Sequence, residues 1–230
     1  MWSRWFGLEA KRARLLRSAP PGPLRDYYSV PFPLLGTRLR AVRFVGLDLE
    51  TSGLEEARHE ILSAGLVELG HDAIDLSTAM HLFVAPTRPL PEGSVVIHHI
   101  TDDRAAGGQH LAEVLPRVLE RLAGKVMVAH HARLEQAFLD AACRRCYGVG
   151  FRCRVVDTEA LFRRQLTRRQ QSLRPGDLRL AALRENCGLP RYRAHDALSD
   201  ALGAAELFLA YVSHAQLAAD EPLRSVLTGP

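Results

Sequence analysis

Lysine is nearly absent from this chain. Lys11 and Lys125 are the only two among 230 residues, so its positive charge is almost entirely arginine. No run of about 18 apolar residues occurs, which excludes an α-helical membrane span. A signal-peptide core is missing too, because Arg4, Glu9, Lys11, Arg12 and Arg14 interrupt every apolar stretch near the N-terminus. The four cysteines, Cys143, Cys146, Cys153 and Cys187, therefore predict free thiols in a reducing, cytoplasmic compartment. Cys143-Arg-Arg-Cys146 and Cys153 lack the second pair of a zinc site. No internal repeat is visible. With 47% hydrophobic residues and a net charge of +4, the chain is not disordered as a whole. A globular chain of this length buries roughly 70–75% of its unfolded surface and needs no disulfide staples.

The charge of +4 conceals a segregation. Residues 1–43 carry +7, residues 44–151 carry −6, residues 152–193 carry +7 and residues 194–230 carry −4. Two basic blocks beside two acidic ones suit a protein that grips an anion and concentrates carboxylates elsewhere. An arginine-rich genome accounts for the same count without a function.

Residues 1–17 combine Trp2, Trp5, Phe6, Leu8, Leu15 and Leu16 with five cations, which predicts an amphipathic basic helix. Pro20, Pro21, Pro23, Pro31 and Pro33 then predict an extended linker over residues 18–40, pinned to the surface by Tyr27, Tyr28 and Phe32. From residue 42 the pattern becomes α/β. Val42–Glu50, Glu60–Glu68 and Ala79–Val84 read as a three-strand meander, and Lys125–Ala129 and Arg154–Val156 as short buried strands. Leu111, Val114, Leu115, Val118, Leu119 and Leu122 recur at helical spacing, with Pro116 marking a helix start or a kink. A helix follows residue 132; Asp157 or Thr158 caps the next, and Asp177 caps one ending at Gly188. An alanine-rich helix runs from Asp196 to about Val212. Such an order predicts one mixed sheet covered by helices.

Three groups of polar residues stand out. Strand residues i and i+2 share a face, so Asp48 and Glu50 project together while Leu47 and Leu49 point into the core. Two carboxylates side by side at the end of a central strand repel each other, and a divalent cation relieves the repulsion. Taken alone, such a pair is common on half-exposed strands. His130-His-Ala-Arg-Leu-Glu135 places Glu135 at the start of a helix, where the helix dipole favours an acid. His195-Asp-Ala-Leu-Ser-Asp200 places a histidine just before the last helix and an acid one turn inside it. A spacing of five does not stack them on one helix face, yet the approach segment lets them converge on one point.

Asp-x-Glu-Thr-x-Gly-Leu, His-x-Ala-x-x-acid-x-x-Phe-Leu and His-x-Ala-x-x-Asp-Ala occur in that order. Together they resemble the DnaQ-like (DEDDh) 3′–5′ exonuclease superfamily over residues 42–213, supported by Ile97-His-His-Ile-Thr101 and Val155-Val-Asp-Thr158. The resemblance implies an α/β, ribonuclease H-like fold with a mixed five-stranded sheet. Residues 1–40 are then a basic arm and Pro-rich linker, and residues 41–230 the exonuclease domain. It implies two divalent cations, Mg²⁺ or Mn²⁺, with Asp48 bridging them, Glu50 and Asp200 completing the shell of one and Glu135 serving the other. His195 is the implied general base, a residue type suited to proton transfer near neutrality. The chain departs from the family pattern at Glu135, His131 and Leu134, where Asp, Asn and Phe are usual; a viral branch is similar in using Glu. Asp140, five residues further on, fits the spacing worse.

The resemblance also places a 3′-terminal nucleotide beside Thr51, Leu54 and His131, with a plain core position as the alternative for Leu54. Arg163, Arg164, Arg168 and Arg169, followed by Arg174 and Arg179, suit phosphate binding that weakens steeply with salt, or form a solvated helix and loop. No aromatics are interleaved with them, so a base-stacking platform is not indicated. The expected activity is metal-dependent 3′–5′ hydrolysis of a nucleic acid with a free 3′ end, DNA ahead of RNA, releasing nucleoside 5′-monophosphates. Polymerase or repair proteins are the expected protein partners. The alternatives are an epsilon-like polymerase proofreading subunit, and a nucleic-acid-binding module whose catalysis Glu135 weakens.

Overall fold

A computed structural model describes residues 3–88, 107–192 and 195–228. The alternation of β1 (Phe44–Thr51) sorts its side chains onto two sides of the sheet. Val45, Leu47 and Leu49 enter one apolar core, and Phe44 enters the other with Val67, Val128 and Phe208. β1 pairs antiparallel with β2 (Ile61–Leu69), which pairs antiparallel with β3 (Ile74–Phe83). On its other side β1 pairs parallel with β4 (Val126–Ala129), and β4 with β5 (Arg154–Asp157). The sheet order is therefore β3-β2-β1-β4-β5, the mixed five-stranded arrangement expected. β1 at its centre carries both leading carboxylates.

Seven helices among the described residues cover the two faces: α1 (Ser3–Ser18), α2 (Pro23–Ser29), α3 (Leu111–Leu122), α4 (Arg133–Tyr147), α5 (Thr158–Arg168), α6 (Leu180–Asn186) and α7 (Ala197–His214). Leu8 of α1, Leu24 of α2, Leu119 of α3 and Phe138 of α4 join the core containing Leu47. Leu161 of α5, Leu183 of α6 and Phe208 of α7 join the core containing Phe44. Helix α3 keeps Pro116 inside it. No helix among the described residues is long and apolar enough to cross a membrane.

Two local expectations need correction. Residues 23–29 form a helix rather than extended chain. Pro23 occupies its first turn, where a missing N–H leaves no intrahelical bond unmade. Tyr27, Tyr28 and Phe32 lie fully inside the core rather than on a surface. The Tyr28 hydroxyl donates to the Gly150 carbonyl at 2.7 Å and the Tyr27 hydroxyl to that of Arg152 at 2.8 Å. Asp177 does not cap the helix that follows it; its Oδ2 accepts from the Arg174 amide at 2.8 Å inside a turn, and α6 starts three residues later. The Ile97–Thr101 segment lies outside the described residues.

Helix α7 approaches the sheet closely, and two glycines make that possible. A Cβ at Gly65 would meet the Ala197 carbonyl oxygen at 2.1 Å, and one at Gly46 the Ala201 carbonyl oxygen at 2.8 Å. Gly65 is the cross-strand partner of Asp48. The first turn of α7 therefore rests directly beside the first acid of the β1 motif.

Candidate active site

Three elements deliver carboxylates to one end of the sheet. Asp48 and Glu50 come from the last half of β1, with a register irregularity between Glu50 and Thr51 where the strand leaves its partner. Glu135 comes from the first turn of α4 and Asp200 from the first turn of α7. The α7 start is fixed by Asp196, whose Oδ1 accepts from the Ser199 amide at 2.9 Å. His195, just ahead of it, holds a left-handed backbone (φ 63°) and donates its amide to Asp200 Oδ2 at 2.9 Å. Glu50, His195 and Asp200 each offer a donor atom within 4.8 Å of the others.

Electrostatics bind Asp48 and Glu135 to the same group. Burial, followed by the carboxylates of Glu135, Asp200, Glu50 and Asp196, pushes Asp48 well above the usual carboxylate range. Glu135 is only 2% exposed. Burial, then Asp157 and Glu50, push it up to about 8. Asp200 rises to about 6, chiefly through burial and Glu50, against the opposing His195 amide bond. The buried Oε2 of Glu135 has no hydrogen-bond partner, a costly state for a carboxylate unless a cation takes that oxygen. Carboxylate oxygens, one of them orphaned, suit a hard divalent cation such as Mg²⁺ or Mn²⁺.

The rival acid is used elsewhere. Asp140 accepts from Arg144 at 2.8 Å, Arg152 at 2.6 Å and the Phe151 amide at 2.8 Å. Although burial acts to raise it, these partners hold it below its ordinary value.

The remaining candidates separate. Thr51 is buried, its hydroxyl bonded to the Gly53 carbonyl at 2.8 Å. Leu54 is 78% exposed, which removes the core alternative. His131 is exposed and its Nδ1 lies 3.0 Å from Glu159. Arg163 pairs with the same Glu159 at 2.6 Å and lines a groove of about 1140 Å³ that also contains Asp48, His195 and Asp200. Arg164 turns into the fold, donating to the Ser225 carbonyl at 2.9 Å. Arg168 and Arg169 are exposed and do not line that groove.

Sequence reasoning passed over His130. Its Nδ1 lies 2.8 Å from the Thr158 hydroxyl and its Nε2 2.9 Å from the Leu178 carbonyl. Burial lowers its pKa despite Asp157 and Glu159. A neutral ring with Nε2–H donating to Leu178 satisfies both contacts. His130 thus ties the end of β4 to the segment forming the groove's far wall. The motif offered the residue, but only the fold supplies its partners.

The cation-free cluster has a consequence for stability. Acids whose folded-state values exceed 3.8 for Asp or 4.5 for Glu bind more protons folded than unfolded. Stability is then greatest below those ordinary values and falls as pH rises through about 6 and about 8. Thermal melts in chelator are expected to drop between pH 5 and pH 8.5 by roughly 3–8 °C, on the order of 2 kcal/mol. Adding Mn²⁺ at the upper pH should reverse most of the loss. A flat profile, unmoved by cation, contradicts the cluster's repulsion.

The family model described as "Exonuclease" (RNase_T) matches residues 45–208. The epsilon subunit of DNA polymerase III from Treponema pallidum is 30% identical over 75% of this chain and 78% of its own length. DNA polymerase III PolC-type of Thermotoga maritima is 32% identical over 74% of this chain, which spans only 12% of that relative. The zinc-bound complex of E. coli exonuclease I with single-stranded DNA superposes with a TM-score of 0.67. It is 16% identical and covers 76% of this chain and 41% of its own. The order of strands, the three motifs and the matched span agree: this chain belongs to the exonuclease family, within the DnaQ-like DEDDh superfamily.

Proposed function

We propose that the protein hydrolyses nucleic-acid strands from the 3′ end, DNA ahead of RNA, releasing nucleoside 5′-monophosphates. The observation that carries this reading is the convergence of Asp48, Glu50, Glu135 and Asp200 with His195 at one end of the sheet. When bound, two divalent cations, Mg²⁺ or Mn²⁺, supply an acidified water and offset the charge on the leaving 3′ oxygen. Asp48 would serve both cations, Glu50 and Asp200 would hold one, and Glu135 would hold the other.

The chain's own residues do the remaining work. His195 takes the proton from the attacking water as its oxygen bonds to phosphorus and the 3′ oxygen leaves. The bond from its amide to Asp200 keeps its backbone beside the acids. Exposed Leu54 offers an apolar face to the terminal base, and Thr51 sets the adjoining backbone near the sugar. Arg163 stands on the groove wall paired with Glu159, and is assigned to a phosphate only through exchange of that ion pair. His131, Arg168 and Arg169 are assigned to strand contacts at the rim. The relatives' membership of DNA polymerases supports DNA as polymer and a polymerase assembly as setting, with repair proteins as the other proposed partners.

A panel of single-stranded DNA and RNA oligonucleotides, labelled at either end, tests the reading. A 3′ label should appear first as mononucleotide while the 5′ label shortens stepwise, faster for DNA. Internal cuts, or release from the 5′ end, overturn it. The glutamate at 135 gives a second check. Glu135→Asp should keep activity within about tenfold, whereas Glu135→Gln should lose on the order of 10² or more through the missing charge. A Glu135→Asp variant that gains 10² instead would favour the weakened binding module.

A further inference from the structure

The groove beside the acids has one wall made by the segment between α5 and α6. Leu173, Arg174, Pro175, Gly176, Leu178 and Arg179 line it. That segment is fixed in place. Asp177 accepts from the Arg174 amide, the Arg179 amide donates to Gly176, and the Leu178 carbonyl is held by His130. Its charges are sorted with equal care. Arg163 is neutralised by Glu159 at 2.6 Å, Arg184 by Glu206 at 2.6 Å, and Arg191 by Glu185. Arg174 and Arg179 have no ion-pair partner among the described residues. The groove therefore pairs an acidic floor, Asp48 and Asp200, with two uncompensated guanidiniums on its wall.

Such a gradient orients a polyanion. The groove's volume of about 1140 Å³ exceeds the roughly 300–1,000 Å³ that one small ligand occupies, so it has room for more than the terminal nucleotide. Guanidinium forks match phosphate oxygens geometrically. We infer that Arg174 and Arg179 each bind one backbone phosphate of the nucleic-acid strand on the 5′ side of the cleaved linkage. The inference rests on the exonuclease reading and adds a strand-binding wall to it. The arginine-rich stretch thereby divides by place: Arg164 serves the fold, while Arg174 and Arg179 face the strand.

Salt titration tests this on the full chain. Binding of a fluorescein-labelled dT12 is followed by anisotropy in Ca²⁺ across a range of KCl concentrations. Each phosphate contact on a single strand contributes about 0.7 to the slope of log K against log salt. The double variant Arg174→Ala/Arg179→Ala should flatten the slope by about 1.4 and weaken binding about tenfold or more at 0.1 M salt. A charge-matched control, Arg25→Ala/Arg224→Ala, alters exposed arginines that do not line the groove and should leave the slope at the wild-type value. Equal slopes for wild type and the groove variant, or equal flattening by the control, overturn the inference. Wild-type protein that does not bind dT12 at all sinks the nucleic-acid reading as well, which sets that failure apart.

Discussion

Asp48→Asn is expected to cut cation-dependent hydrolysis at least 10³-fold and to raise the melting temperature of the cation-free protein. The two effects share one cause. Asp48 is held beside Glu135, Asp200, Glu50 and Asp196, and burial adds to their repulsion. Removing its charge relieves about 1–2 kcal/mol of that repulsion, worth roughly 2–8 °C for a chain of this size. It also removes the carboxylate assigned to both cations, and hydrolysis of a phosphodiester depends more on such charge stabilisation than on any other single effect. Most substitutions lower stability, so the opposite signs are diagnostic. A variant that loses activity and stability together would make Asp48 a structural acid, and one that keeps its rate would remove it from the chemistry.

Gly65→Ala carries the second large expectation. Its added Cβ would sit 2.1 Å from the Ala197 carbonyl oxygen and 2.3 Å from the Leu198 nitrogen, both backbone atoms that no rotamer change can clear. Helix α7 must lift from the sheet, opening the packing of Ala201 and Ala205. A cost on the order of 3 kcal/mol is expected, with a fall of about 6–12 °C in melting temperature. Because α7 carries Asp200 and follows His195, the shift also displaces two of the five residues proposed for the site. A misplacement near 1 Å is enough for about a 10²-fold loss in rate. Circular dichroism and turnover measured on the same sample separate the two effects. Unchanged melting and turnover would mean that the close approach of α7 is not needed.

How much of this was legible in the residues follows from the range of the interactions. The meander and the shared face of Asp48 and Glu50 are local consequences of the strand repeat, and β1 realises them. The Asp157 and Asp196 caps are equally local; each accepts an amide three residues on. Proline counting misled over residues 18–40, because Pro23 falls where a helix tolerates it and Tyr27 and Tyr28 reach partners more than 120 residues away. Asp177 misled likewise: an acid near a helix start serves a turn as readily as a cap.

The site was legible as a motif and not as geometry. Glu135 and Asp200 are 65 positions apart in the chain, and nothing in either segment alone says that both meet Asp48. Arg164 and Arg163 are neighbours in sequence, yet one supports the C-terminal segment and the other lines the groove. Helical phase and the packing of α5 on the rest of the fold decide which. His130 owes its place to Thr158 and Leu178, brought together only by the parallel pairing of β4 with β5 and the segment that follows α5.

The most direct test is release of nucleotide from a 3′-labelled single-stranded DNA by the wild-type protein, in Mg²⁺, in Mn²⁺ and in chelator. The four-carboxylate site predicts nucleoside 5′-monophosphate as the first labelled product in either cation and none in chelator. No release in both cations, or release that continues in chelator, would contradict it.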